Sequence, residues 1–244
     1  MTRSEVMLAV EALSAWYGAA RILYDLAFEV RRGEVVALMG RNGAGKTTTM
    51  KAIMGLLERK SGVVRFAECD ISMLQPYQIA RLGVGFVPED RRIFSDLTVL
   101  ENLDIGRRPP HRFSDGRMAP TWTTEKLFEL FPNLGGMPNR RGDHMSGGEQ
   151  QMLTVARTLM GNPLLVLMDE PSEGVAPIIV EQMANTIREL KKEGLAILLS
   201  EQNIHFAELV SDRVYVLEKG QIQWSGTMAE LAGDSGVQRT FLTV

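Results

Sequence analysis

Val35-Val36-Ala37-Leu38-Met39-Gly40-Arg41-Asn42-Gly43-Ala44-Gly45-Lys46-Thr47 is the stretch whose reading decides the fold. Val35 to Met39 is a short apolar run opening on β-branched residues, which predicts a strand covered on both faces. A Gly-rich turn follows, and then a helix-forming stretch from about Thr47 to Leu57. Gly40 to Thr47 fits G-x-x-x-x-G-K-[ST], in which glycines let backbone N–H groups wrap a phosphate at the positive end of the next helix. In such a loop the lysine, here Lys46, reaches the β- and γ-phosphates and the hydroxyl, here Thr47, ligands Mg²⁺. By average residue frequencies a chance match arises in about one in 100 chains of this length. Its place between a strand and a helix makes chance rarer still. Gly40, Arg41, Asn42, Gly43, Ala44, Gly45, Lys46, Thr47 and Thr48 are therefore the expected nucleotide-binding residues.

Moving outward, Val84 to Val87, Leu164 to Met168, Leu195 to Leu199 and Val214 to Leu217 are further short apolar runs without alternation. Together with Val35 to Met39 they suit a mainly parallel sheet in an α/β fold. Val6 to Val10 and Ala27 to Val30 read as earlier strands, with Arg31 to Glu34 as the turn after the second. Pro177 to Glu193 is the clearest helix: Ile179, Met183, Ile187 and Leu190 share one face, Pro177 suits its first turn and Gly194 its stop. About Thr98 to Met160 is richer in helix signals, broken by a Pro/Gly/Arg-rich loop at Gly106 to Pro120.

The run Leu164 to Met168 ends in Asp169-Glu170. A buried strand delivering two adjacent carboxylates builds a poor core but places charge at a sheet edge, where α/β folds bind ligands. Asp169 suits Mg²⁺, and Glu170 suits orienting or deprotonating an attacking water.

The 244 residues can bury a substantial core, and 45% hydrophobic and 23% charged residues are ordinary for a globular protein. A formal charge of −3 gives no electrostatic reason to expect nucleic acid. Cys69 cannot form an internal disulfide, and His111, His144 and His205 make no zinc spacing. The start at Met1 to Glu5 lacks a secretory pattern, and no apolar run approaches the roughly 18 residues that span a bilayer. A cytoplasmic chain is expected, with any membrane role exercised through partners.

Met145-Ser146-Gly147-Gly148-Glu149-Gln150-Gln151 precedes a helical pattern running to about Met160. Ser146 and Glu149 fit a capping box. Paired glycines weaken a first turn with no local gain, and suit a place where a ligand must approach the backbone. With the phosphate loop and the acidic pair, in this order, the segment resembles the signature of ATP-binding cassette ATPases, with Met145 where leucine is more usual. The resemblance covers essentially the whole chain.

It implies a P-loop NTPase core, a mainly parallel sheet flanked by helices, with an N-terminal antiparallel β region and a helical subdomain at about 98–160, in one nucleotide-binding domain over 1–244. It implies ATP and Mg²⁺ as ligands, and a second cassette, itself or a sister, packed head to tail. Each ATP would then lie between the phosphate loop of one copy and Ser146, Gly147, Gly148 and Glu149 of the other. Tyr17, in Trp16-Tyr17-Gly18, matches the aromatic that stacks on adenine. Three positions depart from the family pattern. Glu89 stands where a glutamine usually senses Mg²⁺ and the γ-phosphate, Ala176 where an aspartate is usual, and Gln202 where a γ-phosphate-contacting histidine is usual. Gln202 can donate a hydrogen bond but carries no imidazolium charge; His205 reads as a surface or packing residue.

The departures sharpen the resemblance. Val87-Pro88-Glu89, Arg91-Arg92-Ile93-Phe94, Gly174-Val175-Ala176-Pro177 and Glu201-Gln202-Asn203 look like the ATPase subunits of branched-chain amino-acid importers, above all the F-type member of the Liv-type pair. Importers of urea or other amides and a lipopolysaccharide-export ATPase share parts of this pattern. Ala176 and Gln202 also leave open a low-turnover cassette paired with a more active sister. The implied partners are two transmembrane permease subunits at the cytoplasmic membrane face and, indirectly, a periplasmic or extracellular solute-binding protein. Ile93, Phe94 and Leu97 are the candidates for the permease contact. A cassette acting on nucleic acid or ribosomes would more commonly carry two cassettes, coiled-coil insertions or basic extensions.

Overall fold

Val35–Met39 forms a strand in which every residue is buried, as an unalternating apolar run demands. The computed structural model describes residues 5–242. In chain order the strands are β1 (Val6–Tyr17), β2 (Ala20–Arg31), β3 (Val35–Met39), β4 (Arg59–Phe66), β5 (Cys69–Asp70), β6 (Val84–Val87), β7 (Leu165–Asp169), β8 (Ala196–Glu201), β9 (Arg213–Glu218) and β10 (Gln221–Thr227). The α-helices of four residues or more are α1 (Lys46–Ile53), α2 (Pro76–Arg81), α3 (Val99–Gly106), α4 (Thr124–Leu130), α5 (Pro132–Gly135), α6 (Gly147–Leu159), α7 (Pro177–Lys192), α8 (Ile204–Val210) and α9 (Met228–Gly233).

The apolar runs assemble into one six-stranded sheet in the order β10-β9-β3-β8-β7-β6. β3 pairs in parallel with β8 and β9, β7 with β8 and β6, while β10 closes one edge antiparallel to β9. A second, four-stranded sheet runs β2-β1-β4-β5 and is antiparallel throughout. Helix α1 sits between the sheets, with Met50 and Ile53 packed in a cluster shared with Leu23, Leu26, Leu38, Phe66 and Leu167. On the other face of the large sheet, Leu153 of α6 and Ile187 and Leu190 of α7 pack with Val166 and Met168. Among the described residues no helix is long and apolar enough to cross a membrane.

Some expected boundaries move. The phosphate-loop helix ends at Ile53 rather than Leu57, because Gly55 takes a left-handed φ of +69°. A Cβ on Gly55 would fall 2.7 Å from the Leu74 carbonyl oxygen, so this turn is built around the missing side chain. β1 continues to Tyr17, past a register shift between Val10 and Leu13 where Ala12 has φ 49°. That bulge breaks the alternation from which the second half of the strand could have been read. The Pro/Gly/Arg-rich loop after α3 is pinned to the main core: Phe113 is buried, with the Arg32 guanidinium 3.2 Å from its ring centroid. Helix α7 keeps Pro177 in its first turn and Gly194, at φ +88°, just past its Glu193 cap.

Candidate active site

β3, β7 and β8 are parallel, so their carboxyl ends open on the same side, and the loop after each carries site residues. After β3 the chain turns at Gly40, where a Cβ would sit 2.3 Å from the Leu217 carbonyl oxygen. Gly43 (φ +78°) and Gly45 (φ +111°) take left-handed backbone, and Gly45 caps α1. Lys46 opens the helix with its side chain 3% exposed; its Nζ donates to the carbonyls of Gly40 at 2.7 Å and Arg41 at 3.2 Å.

The acidic pair meets this loop from β7. Lys46 Nζ lies 3.0 Å from Glu170 Oε1. Thr47 Oγ1 donates to Asp169 Oδ1 at 3.1 Å, and Ser200 Oγ, from the neighbouring strand, donates to the same oxygen at 2.6 Å. Glu170 has a left-handed φ of 46°, rare for a non-glycine residue, and its N–H is tied to the Ser200 carbonyl at 3.1 Å. Its second oxygen, Oε2, accepts from Gln202 Nε2 at 2.6 Å. The motif residues thus converge: loop lysine on one carboxylate, loop threonine on the other, and Gln202 behind the first.

A cleft of about 530 Å³ opens over this group, lined by Tyr17, Ile22, Asn42, Gly43, Gly45, Lys46, Thr47, Thr48, Glu89, Glu170 and Glu173. Tyr17, at the end of β1, is 47% exposed, so its ring is free to take a flat partner. Ser146, Gly147, Gly148 and Glu149 are not part of this lining; they stand at the start of α6. There the capping box forms in full, with Glu149 Oε2 accepting from the Ser146 N–H at 2.7 Å. The glycines also have a local purpose that the sequence did not reveal. A Cβ on Gly148 would fall 2.7 Å from the Ile179 side chain, and one on Gly147 2.8 Å from the Arg91 guanidinium. The expectation that they bring no local gain is corrected: their absent side chains admit neighbours from α7 and from the loop after β6.

Electrostatics separates the carboxyls. Burial pushes Asp169 upward, against hydroxyl bonds from Ser200 and Thr47 that pull it down. Burial also works to raise Glu170, but bonds from Glu173 and Gln202 and the Lys46 charge outweigh it and hold Glu170 below the ordinary range. Glu173 takes the opposite part: its bond to Glu170, then burial, push it up to about 7. Two carboxyls in contact cannot both ionise freely, so Glu173 keeps the proton that Glu170 gives up. Glu173 and Ser200 were not singled out in the sequence. Ser200 had a signal, being a polar residue at the tip of an apolar strand, as Asp169 is.

The Glu173 shift has a measurable sign. A carboxyl raised in the folded state supports folding below its unfolded pKa, near 4.5, and that support is lost as pH climbs through about 7. In nucleotide-free protein Glu173→Gln is therefore expected to melt above the parent at pH 8, by about 2 °C given how open the site is. The gap should close below pH 4.5; thermal melts at pH 4 and pH 8 that show no such convergence would exclude the shared proton.

Thr47 Oγ1 and Asp169 Oδ1 are hard oxygen donors, a set that suits Mg²⁺, which takes few protein ligands and fills its shell with water and phosphate. Among the described residues no three histidine, cysteine or acidic side chains form a metal-holding group.

The family model described as "ABC transporter" matches residues 23–173. The branched-chain amino acid transport ATP-binding protein BraG of Pseudomonas aeruginosa is 41% identical over 236 residues, covering 97% of this chain and 99% of its own. The chain belongs to the ABC transporter family. As a cassette of that family it is an ATPase, and the cleft over Lys46 and Glu170 is the place where the motifs meet. The lipopolysaccharide export ATP-binding protein LptB of Escherichia coli is 33% identical over 96% of both chains. A nucleotide-free ATP-binding cassette from an ABC transporter superposes with a TM-score of 0.79 at 28% identity, over 95% of this chain and 97% of that one. A cassette in its ADP conformation gives 0.79 and 28%, over 96% and 97%. The α/β architecture with its additional antiparallel sheet is that of these cassettes.

Proposed function

We propose that this cassette powers the import of branched-chain amino acids across a membrane, working from its cytoplasmic face through two permease subunits that it does not itself contain. The observation that carries the reading is the 41% identity to BraG over 97% of the chain. The phosphate loop, Gly40 to Thr48, cradles the triphosphate, and Tyr17 stacks on adenine. Lys46 leaves Glu170 for the β- and γ-phosphates, and Thr47 and Asp169 would hold a Mg²⁺ ion, which would spread the phosphate charge. Glu170 takes the proton of the water that attacks the γ-phosphorus as the bridge to the β-phosphate breaks. Gln202 and Glu89 orient groups around that phosphate. The start of α6 lies outside the cleft, which favours a head-to-tail pair in which Ser146, Gly147, Gly148 and Glu149 serve the nucleotide of a second cassette, either a copy or a sister.

A groove of about 320 Å³ lined by Met54, Phe86, Phe94, Ile105, Arg108 and Pro163 suits the permease contact. Phe94 is 46% exposed there, whereas Ile93 packs inward against the helical core, so Phe94 is the better placed of the two. The test is reconstitution of the cassette with its permeases and solute-binding protein in vesicles. Leucine, isoleucine or valine is expected to raise ATP turnover severalfold and to accumulate inside. The 33% identity to LptB keeps an export role as the second reading; stimulation by a lipopolysaccharide acceptor and indifference to leucine would decide for it.

A further inference from the structure

Glu201 ends β8 between Ser200 and Gln202, two residues already placed on Asp169 and Glu170. Its side chain turns away from the cleft and is 2% exposed, an unusual place for a carboxylate. Three backbone amides donate to it, and the Ser172 hydroxyl adds a side-chain bond. Oε1 accepts from the Ser172 N–H at 3.1 Å, and Oε2 accepts from the N–H groups of Gln202 and Asn203, each at 3.1 Å. Ser172 lies in the turn after Asp169-Glu170, and Gln202-Asn203 is the turn that leads into α8. One buried carboxylate therefore fastens together the two turns that carry Glu170 and Gln202.

A neutral side chain could not do the same. An amide offers one accepting oxygen and places an NH₂ where the second oxygen stood, facing an N–H that needs an acceptor. A serine or asparagine could cap one turn but not bridge both. Two oxygens held rigidly on one carbon are the economical way to bind donors from two turns at once. Gln202 has rotamers that point elsewhere, and its own backbone N–H is among the donors to Glu201. Fixing that N–H and the Ser172 N–H sets both ends of the 2.6 Å contact from Gln202 Nε2 to Glu170 Oε2.

We infer that Glu201 is a positioning residue for ATP hydrolysis, its carboxylate locking the Ser172 turn onto the Gln202 turn so that the Gln202 amide stays aimed at Glu170. The inference rests on the reading of Glu170 as the group that receives the water proton. Glu201 touches no part of the nucleotide cleft, so it acts on the chemical step through Gln202 and leaves nucleotide binding to the phosphate loop.

The experiment measures steady-state ATP hydrolysis of the full-length chain, in the assembly where the parent turns over, for Glu201→Gln, Gln202→Ala and the double variant. Glu201→Gln is expected to lower kcat about 10- to 100-fold, the size of effect that a small misplacement of a reacting group produces. KM for ATP should stay within about twofold, because the Lys46 side of the site is intact. In the Gln202→Ala background the same substitution should cause no more than about a twofold further loss, since the group it positions is gone. Glu201→Asp keeps both oxygens on a shorter stem and should recover part of kcat; if Glu201→Gln does not fold, Glu201→Asp with and without Gln202→Ala is read by the same criteria. Unchanged kcat, a loss confined to KM, or equal losses in both backgrounds would overturn the inference. A parent that hydrolyses ATP undiminished by Glu170→Gln would instead overturn the base assignment beneath it.

Discussion

Glu170→Gln should bind ATP as the parent does and fail to turn it over, with kcat lower by about 10³-fold, the middle of the range for removing a general base. The structure gives the substitution a clean geometry. Glu170 stands at φ 46°, with Lys46 Nζ 3.0 Å from one oxygen and Gln202 Nε2 2.6 Å from the other. An amide of the same shape can still accept from Lys46, and Gln202 can rotate its own amide to present oxygen to the new NH₂. Packing is preserved, while the capacity to take a proton and the charge paired with Lys46 are lost. Phosphate release would be followed under steady state, and retained nucleotide and molecular mass would be measured after gel filtration in Mg-ATP. The expected outcome is unhydrolysed ATP travelling with a species of twice the chain mass, because closure needs binding and reopening needs cleavage. Turnover within about twofold of the parent would sink the assignment of Glu170, and the acceptor would then have to be sought in Glu173, which lines the same cleft.

How much of this could be read before the fold was known depends on whether a residue's partner lies in its own sequence neighbourhood. Lys46 and Thr47 announce themselves because the glycines that shape their loop are their neighbours. Asp169 and Glu170 do so because carboxylates at the tip of an apolar strand have little other use. What Ser200 and Glu201 do at the site lies in the register of β7 against β8, where Asp169 pairs with Ser200. No spacing along the chain conveys that register. Glu173 likewise reads in sequence as one more loop carboxylate; its contact with Glu170 is what sets it apart. In sequence Gly147 and Gly148 point to their ligand alone, although Ile179 and Arg91 explain part of their size.

The fold divides in the same way. The strands buried on both faces, β3 and β7 above all, stand out as apolar runs. β10 alternates between exposed and half-buried residues and β4 carries Arg59, Lys60 and Arg65, so neither announces itself as a strand in sequence. Both sit in antiparallel pairings where one face meets water, and there composition says little. Helix α7 was legible because its start, its stop and its apolar face agree, whereas α8, at seven residues, is too short to show a period.

Lys46→Ala is expected to remove measurable ATP binding, because of how Lys46 is held in its loop. Its ammonium is almost wholly buried, paired with Glu170 and bonded to the Gly40 and Arg41 carbonyls, so it is desolvated and held within its loop before ligand arrives. A phosphate chain replaces the carboxylate with more negative charge at small reorganisation, and charge-assisted bonds of this kind contribute about 1.5–3 kcal/mol each. Two such contacts correspond to an affinity loss of about 10²- to 10⁴-fold on truncation. Thermal melts with and without Mg-ATP test it directly. At about 100 times its dissociation constant the nucleotide stabilises the parent by about 2.7 kcal/mol, a rise of roughly 5–10 °C, and Lys46→Ala should show almost none. The nucleotide-free variant carries a second mark. Glu170 is held below its ordinary value partly by Lys46, so the parent's advantage from this pair is present above pH 4.5 and fades as pH falls through and below it. The melting gap between parent and Lys46→Ala should therefore shrink in acid, and a gap that persisted unchanged at pH 3.5 would mean that the pair contributes nothing and that Lys46 is held by the two carbonyls alone.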